Sequence, residues 1–156
     1  MTWAVAEGRD GTLWLGTTQG LIRWRPDGTW QHLSMLSGHL ADNWVTALLV
    51  DGDTIHVGSY AGGVTSLRPS SEAGLAGFAA TQLGGGRVNP GGLAQVDGRL
   101  AVATMKGAQV REGGRWRSLA DATFEDVTAI ASVSAPGGSQ VWIASRRGLV
   151  VHERAP

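Results

Sequence analysis

DGTLWLGTTQGLIRW, the stretch from Asp10 to Trp24, joins a tight turn, a short apolar run, a hydroxyl pair, a glycine and a second apolar run. Short apolar runs bounded by turn residues are typical of β-strands. The Asp10-Gly11 pair favours a tight hairpin because glycine adopts the positive φ that such turns require. The stretch therefore predicts two antiparallel strands joined by a second turn at Gly20.

The same pattern recurs three times along the chain. The copies are IHVGSYAGGV (55–64), LAVATMKGA (100–108) and VWIASRRGL (141–149). Their small residues align at Gly16, Gly58, Ala103 and Ala144, with spacings of 42, 45 and 41 residues. A hydroxyl follows at Thr17, Ser59, Thr104 and Ser145, and a turn glycine at Gly20, Gly62, Gly107 and Gly148. Four short strands in about 40–45 residues is the spacing of a β-propeller blade.

The repeats predict an all-β fold, a β-propeller built from four repeats of four-stranded antiparallel blades. We expect one propeller segment over residues 1–156, with repeats at about 1–43, 44–90, 91–126 and 127–156. The last repeat ends after its third strand, so its blade is expected to lack the outer strand. The segment is then half of a larger propeller or a four-bladed ring. A single β-sandwich with coincidental periodicity is the alternative.

Small residues on the second strand of each repeat are expected to let neighbouring blades approach closely. The hydroxyl after each small residue is expected to satisfy a backbone group at the strand end. Trp14 and Trp142 occupy the same position of the repeat as His56 and Ala101. We interpret this position as one that packs between blades. The segment SSEAGLAGFAATQL (70–83) fits the repeat least well and is expected to contain a helical turn or a long loop.

Composition narrows the possible functions. The 13 basic and 13 acidic residues balance, which gives no electrostatic case for nucleic acid or an anionic membrane. The chain has no cysteine, which excludes disulfides and thiolate metal sites. We expect no cofactor, no metal and no membrane contact. No signal peptide is visible, which predicts a cytoplasmic location, or a periplasmic or extracellular one if the segment belongs to a membrane sensor.

Candidate binding residues come from the loops that lie on one face of a propeller. These loops join strand four to the next strand one, and strand two to strand three, and such a face is a common binding surface. The candidates are Gln19, His39, Asp42, Tyr60, Arg87, Lys106, Arg146 and Arg147. Solvated turns with no ligand are the alternative interpretation.

Patterns typical of catalysis are weak. His39 and Asp42 share a loop with Ser37, but no nucleophile elbow is present. The four histidines lack metal-ligand spacing, and the glycine-rich stretch 84–87 lacks the Lys-Ser/Thr of a phosphate-binding loop. We expect no catalytic residues. The alternative is a propeller lyase or hydrolase with its site at the central channel mouth, where His56 is the candidate.

The pattern DNxVTA…DG…LWxGTxxGL resembles the propeller repeat of two-component regulators, most closely at DGTLWLGTTQGLIRW and in residues 40–64. The third repeat departs from it at Ala101 and Ala103. A weaker likeness is to streptogramin-lyase-type propellers. The resemblance implies a non-enzymatic sensing, recognition or assembly module for an unknown ligand or protein. The expected partners also include a second copy, as a homodimer closing a larger propeller, or neighbouring blades of a longer chain.

Overall fold

A computed structural model describes residues 1–72, 77–119, 125–135 and 138–154, without the side chains of 134–135, 138–139 and 153–154. Part of the predicted 70–83 loop, most of the connection 120–126 and Gly137 lie outside the described residues. The chain divides into two compact units, Met1–Gly91 and Gly92–Pro156.

The first unit contains two four-stranded antiparallel sheets. The first sheet comprises β1 (Thr2–Glu7), β2 (Leu13–Thr17), β3 (Gly20–Trp24) and β4 (Trp30–Leu33). The second sheet comprises β5 (Val45–Asp51), β6 (Thr54–Ser59), β7 (Gly63–Pro69) and β8 (Phe78–Gly84). In both sheets the strands lie in sequence order, as expected when each strand is joined to the next by a hairpin.

The second unit holds the rest of the strands. The third sheet comprises β9 (Val88–Val96), β10 (Arg99–Thr104), β11 (Gly107–Glu112) and β12 (Arg115–Ser118), and the fourth comprises β13 (Val127–Ala135), β14 (Gly138–Ser145) and β15 (Gly148–Arg154). Strand β9 begins before the unit boundary, three residues ahead of the predicted third repeat. The described residues form no helix, and the fourth sheet has three strands among them. The predicted all-β repeat with an incomplete last blade is confirmed.

The hydroxyl side chain at the end of each second strand forms hydrogen bonds within the turn to the third strand. Thr17 Oγ1 donates to the Gly20 carbonyl at 2.9 Å and accepts from the Gln19 amide at 3.0 Å. The Thr104 hydroxyl makes the same pair of bonds in the third sheet, at 2.9 and 3.1 Å. These bonds satisfy backbone groups that the tight turn leaves unpaired, which confirms the predicted role of the hydroxyls.

The turn of the second sheet corrects one expectation. Ser59 pairs with Gly63 and donates to its carbonyl at 3.0 Å, so Gly63 rather than Gly62 is equivalent to Gly20. This turn is one residue longer than the turn of the first sheet. Gly62 instead allows close packing against Ala41, since a Cβ at this residue would lie 2.8 Å from the Cβ of Ala41. A spacing pattern alone could not distinguish these two adjacent glycines.

Close approach of neighbouring sheets depends on the small residues, as predicted. A Cβ at Gly16 would lie 2.6 Å from Cγ1 of Val45, on the first strand of the second sheet. A Cβ at Gly58 would lie 2.6 Å from Cγ1 of Val88, at the start of β9. Both distances are far below van der Waals contact, so any larger residue would force the strands apart.

Strand register defines two faces for each sheet. We call the side of the first sheet that carries Ala6, Trp14 and Leu21 its trailing face, and the opposite side its leading face. The trailing face packs into one core with the facing side of the second sheet. We call that side the leading face of the second sheet, and we use both terms for equivalent sides of the other sheets. The residues of this core on the second sheet include Val45, Ile55, Val57, Leu67 and Phe78.

The second unit repeats this arrangement with smaller side chains. Ala101, Ala103 and Ala108 of the third sheet form a core with the leading face of the fourth sheet, which contributes Ile130, Val141 and Ile143. At the position of Trp14 the third sheet has Ala101, which is fully buried.

Candidate functional site

An exposed aromatic stack lies on the first unit. It is formed near the starts of β1 and β5 and at the turn between β6 and β7. Trp44 and Tyr60 stack with ring centroids 4.6 Å apart and planes inclined by 25°. Trp3 lies against Trp44 at 6.0 Å. The guanidinium of Arg87 lies 5.2 Å from the Tyr60 ring centroid, within cation–π range. We call Trp3, Trp44, Tyr60 and Arg87 the aromatic surface.

The carboxylate of Asp42 holds the centre of the aromatic surface in place. Its Oδ2 accepts from the Ala61 amide at 2.8 Å, and its Oδ1 accepts from the Trp44 amide at 3.2 Å. The Tyr60 amide donates to the Trp44 carbonyl at 2.9 Å. One side chain therefore ties the loop before β5 to the longer turn after β6, and the two rings lie side by side as a result.

A β-bulge places Trp3 beside this pair. The pairing of β1 with β2 shifts register between Thr2 and Ala4, which leaves Trp3 as the extra residue. Equivalent shifts occur around Thr46 in β5 and Thr128 in β13. A bulge re-aims the side chain of its extra residue. At this position the first sheet has a tryptophan, where the second and fourth sheets have threonine.

The loop before β5 is organised by its own polar side chains. Asn43 Oδ1 accepts from the Met35 amide at 2.8 Å, and Ser37 Oγ accepts from the Ser34 amide at 2.8 Å. His39 Nδ1 lies 3.0 Å from the Ser37 hydroxyl. Ser37 and His39 thus support the loop, and their hydrogen bonds account for this pairing without a catalytic role.

The structure brings three of the predicted binding residues together, namely Asp42, Tyr60 and Arg87. Gln19 lies in the turn of the first sheet, where its carbonyl is 2.9 Å from His32 Nε2. His39 lies in the loop before β5. Three predicted residues lie exposed in turns of the second unit: Lys106, Arg146 and Arg147.

Sequence reasoning missed Trp3 and Trp44. Trp3 lies at a bulge in the first strand, and a bulge has no signature in the residue pattern. Trp44 carries a usable signal, since it follows Asp42-Asn43 directly before an apolar strand.

The histidine proposed for the enzymatic alternative is buried. His56 Nδ1 lies 2.7 Å from the Ser66 hydroxyl, and Nε2 lies 4.0 Å from Asp51 Oδ2. Burial lowers the pKa of His56, although the nearby Asp51 carboxylate acts in the opposite direction. Ser66 is also buried. Both ring nitrogens of His56 therefore lie near polar groups of its own sheet, and packing between blades stays a prediction for this residue.

The first unit also contains a cleft of about 150 Å³ beside the turn that holds Asp10. The guanidinium of Arg23 lies beside two rings that contact each other, 5.6 Å from the Trp14 centroid and 4.9 Å from the Phe78 centroid. Burial lowers the pKa of Arg23. Both oxygens of Asp10 accept from Thr12, at 3.0 and 2.9 Å, and these bonds lower the pKa of Asp10.

Two kinds of site are absent from the described part of the chain. No group of three or more His, Asp or Glu side chains is placed to hold a metal ion there. The same residues include no helix that is long and apolar enough to cross a membrane.

Comparison with known proteins gives the fold. The chain matches no known protein family and no curated protein. Its structure is similar to the computationally designed Ika4 protein, a designed propeller, with a TM-score of 0.68 and 17% identity over 98% of this chain and 91% of that one. The fold is a β-propeller. The four sheets of this propeller are the blades that the repeats predicted.

A second solved structure is the extracellular domain of a putative hybrid two-component system of B. thetaiotaomicron. The similarity to this domain has a TM-score of 0.35 and 14% identity, and covers 97% of this chain and 26% of that one. The kinship of the repeats with two-component regulators and the location of the protein stay predictions.

Proposed function

We propose that the chain is a non-enzymatic recognition module that binds a protein or peptide partner through the aromatic surface. The observation that carries this proposal is the stacked pair Trp44 and Tyr60, which are 38% and 41% exposed although each is fixed by backbone hydrogen bonds. Exposed rings that are held in one arrangement lose little conformational entropy when a partner binds.

The residue types suit a protein partner. Tryptophan, tyrosine and arginine are the residues that most often dominate the binding energy of protein interfaces. The neighbouring loop adds Leu36, which is almost completely exposed, and Met35, whose amide is anchored by Asn43. A partner segment with an apolar side chain would pack on the rings, and a carboxylate on that segment would pair with the exposed guanidinium of Arg87.

The rigid blade beneath the loops supports this function. Function is commonly carried by loops that a stable scaffold positions. Here the scaffold includes the close contacts of Gly58 with Val88 and of Gly16 with Val45, where the packing leaves no room for a Cβ on either glycine. The aromatic surface therefore has a fixed shape before a partner arrives.

A displayed library of random peptides, selected on the immobilised wild-type protein, tests the proposal. Selected peptides are then titrated by calorimetry against Trp44→Ser, Tyr60→Ala and the control Trp30→Ser. Trp30 is exposed in β4, away from the aromatic surface. We expect the first two variants to weaken binding about 30-fold, as for loss of about 2 kcal/mol at an interface hot spot, and Trp30→Ser to bind like wild type. Unchanged affinity in Trp44→Ser would contradict the proposal.

The enzymatic alternative makes a different prediction. A lyase or hydrolase centred on His56 requires turnover that His56→Ala abolishes while the fold is retained. The burial of His56 and its bond to Ser66 favour a packing role. Turnover that persists in His56→Ala would remove this residue from consideration, and turnover lost only in Trp44→Ser would place an activity at the aromatic surface.

A further inference from the structure

The leading face of the first sheet is an exposed apolar surface. Trp24 and Trp30 are 50% and 69% exposed, and Val5 and Leu13 on the same face are also exposed. Strand register makes Leu13 equivalent to Ile55 and Trp24 equivalent to Leu67. Glu7, which pairs with Leu13, and His32 lie on the same face and are also exposed. Single exposed apolar residues are ordinary, but several on one face mark an interaction surface.

The second sheet shows what covers such a face. Its leading residues Ile55 and Leu67 are buried in one core with Trp14 and Leu21 of the first sheet. The trailing face that covers them has a simple composition, with two alanines on the first strand, a tryptophan and a small residue on the second, and a leucine on the third. In register order these residues are Ala4, Ala6, Trp14, Gly16 and Leu21.

The fourth sheet has the same residue types at these five positions of its trailing face, although Val151 pairs with Trp142 where Arg23 pairs with Trp14. Its residues at the equivalent positions are Ala129, Ala131, Trp142, Ala144 and Leu149. The strand pairs are equivalent as well, since Trp142 pairs with Ala131 just as Trp14 pairs with Ala6. The two faces differ in their surroundings, because Trp14 is 3% exposed whereas Trp142 is 37% exposed. Leu149 is also exposed, whereas Leu21 is buried.

We propose that these two exposed faces bind each other between two copies of this chain. The leading face of the first sheet in one copy packs against the trailing face of the fourth sheet in the second copy. The contact uses the same repeat positions as the contact between the first and second sheets, with Trp142 in the place of Trp14. Leu13 and Trp24 take the places of Ile55 and Leu67. Such a contact is head to tail, and the same contact forms a second time in the pair, with the roles of the two copies exchanged.

The size of the faces is consistent with a stable pair. A face of three or four strands, about five residues long, covers about 300 Å² at the usual strand spacing and rise. Two contacts remove four such faces from water, about 1,200 Å² in total, which is the lower limit for a stable specific interface. One contact alone would fall well below that limit, so a closed pair is favoured over an open chain.

Size-exclusion chromatography with light scattering tests the proposal in two single variants and their mixture. We expect the wild type to have twice the 16.3 kDa chain mass. Leu13→Glu alters the leading face, and Trp142→Arg alters the trailing face. Each variant alone buries unpaired charge at both contacts. We therefore expect the dissociation constant of its dimer to be about 100-fold higher than that of the wild-type dimer.

The mixture of the two variants identifies the head-to-tail arrangement. A mixed pair has one contact with both native faces and one contact where the introduced glutamate and arginine lie opposite each other. We therefore expect the mixture to recover the dimer mass that neither variant has alone. Trp44→Ser is the matched control, because it removes a tryptophan from the aromatic surface and leaves both faces intact; it is expected to remain dimeric. Circular dichroism confirms that each variant is folded.

Three results would overturn the proposal. A wild type that is monomeric at all concentrations shows that no second copy covers these faces. A dimer that survives in both single variants uses another surface. A mixture that stays monomeric while each folded variant is also monomeric excludes head-to-tail pairing. The peptide titrations use the aromatic surface, so failure of the recognition proposal would leave these masses unchanged.

Discussion

The first and second sheets of the first unit share one pattern of residues and differ in what covers them. On the leading face, Ile55 and Leu67 are buried in the second sheet, whereas their equivalents Leu13 and Trp24 are exposed in the first. Apolar residues occupy these positions in both sheets. The comparison teaches that residue type in a repeat protein specifies the blade surface, and that the neighbouring sheet determines whether this surface is buried.

The largest expected effect separates the two sheets directly. Leu67→Ala removes a fully buried side chain and should lower the free energy of unfolding by about 2–5 kcal/mol. Trp24→Ala, at the equivalent position, should change it by less than about 1 kcal/mol in dilute protein, because half of the side chain is already in water. Urea unfolding monitored by circular dichroism measures both. Equal losses in the two variants would mean that the faces are equally covered.

A second prediction sharpens the account of the junction between sheets. Gly58→Ala places a Cβ 2.6 Å from Cγ1 of Val88 and should cost about 1–3 kcal/mol of stability. Val88→Ala in the same chain removes Cγ1 and leaves Cβ as the nearest atom of residue 88, at 3.1 Å. The double variant should therefore be more stable than the sum of the single losses predicts. The cycle is measured by urea unfolding. Strict additivity would show that the two side chains do not compete for space.

The repeats and the strand pairs could be predicted from the sequence, because turn glycines and short apolar runs recur at fixed spacing. The aromatic surface could be predicted only in part. Tyr60 and Arg87 were predicted from their loops, but their stacking depends on Trp44 and on the hydrogen bonds of Asp42, which join residues far apart in sequence. Exposure of Trp3 depends on a β-bulge, a backbone feature without a sequence signature of its own.

The exposed faces illustrate the same limit. Periodicity predicts that Trp14 and Trp142 occupy one column, and the structure shows one of them buried and the other partly exposed. The sequence predicts the chemistry of each face from its own residues. Whether a face is buried depends on another sheet that packs against it. The residues at one repeat position therefore do not predict this burial.

The third prediction concerns pH and the second sheet. Burial lowers the pKa of His56 below its ordinary value of 6.5, so the unfolded chain binds more protons than the folded chain just below that pH. Stability should therefore be constant above about pH 6.5 and fall as the pH decreases, by at most about 1.4 kcal/mol per pH unit. His56→Gln, which can still bond Ser66, should remove this dependence. The exposed His39→Gln should leave it unchanged, and thermal unfolding at several pH values distinguishes the two.

The smallest expected effect compares two equivalent bulges. Thr46 Oγ1 is buried and donates to the Val88 carbonyl at 2.7 Å, whereas Thr128 Oγ1 is exposed and lies 3.3 Å from the Ala144 carbonyl. Thr46→Val leaves a buried carbonyl without its donor and should cost about 1 kcal/mol, whereas Thr128→Val should be almost neutral. Urea unfolding of the two variants checks the difference, and a neutral Thr46→Val would show that this hydroxyl does not fasten β5 to β9.

Oxidative footprinting of the tryptophans at increasing protein concentration tests the central claim most directly. If the leading face of the first sheet and the trailing face of the fourth sheet cover each other between copies, Trp24 and Trp142 become protected as the concentration rises. Trp14 is protected and Trp44 reactive at every concentration, since one is buried within the chain and the other lies on the aromatic surface. Labelling of Trp24 and Trp142 that does not change with concentration would contradict the account.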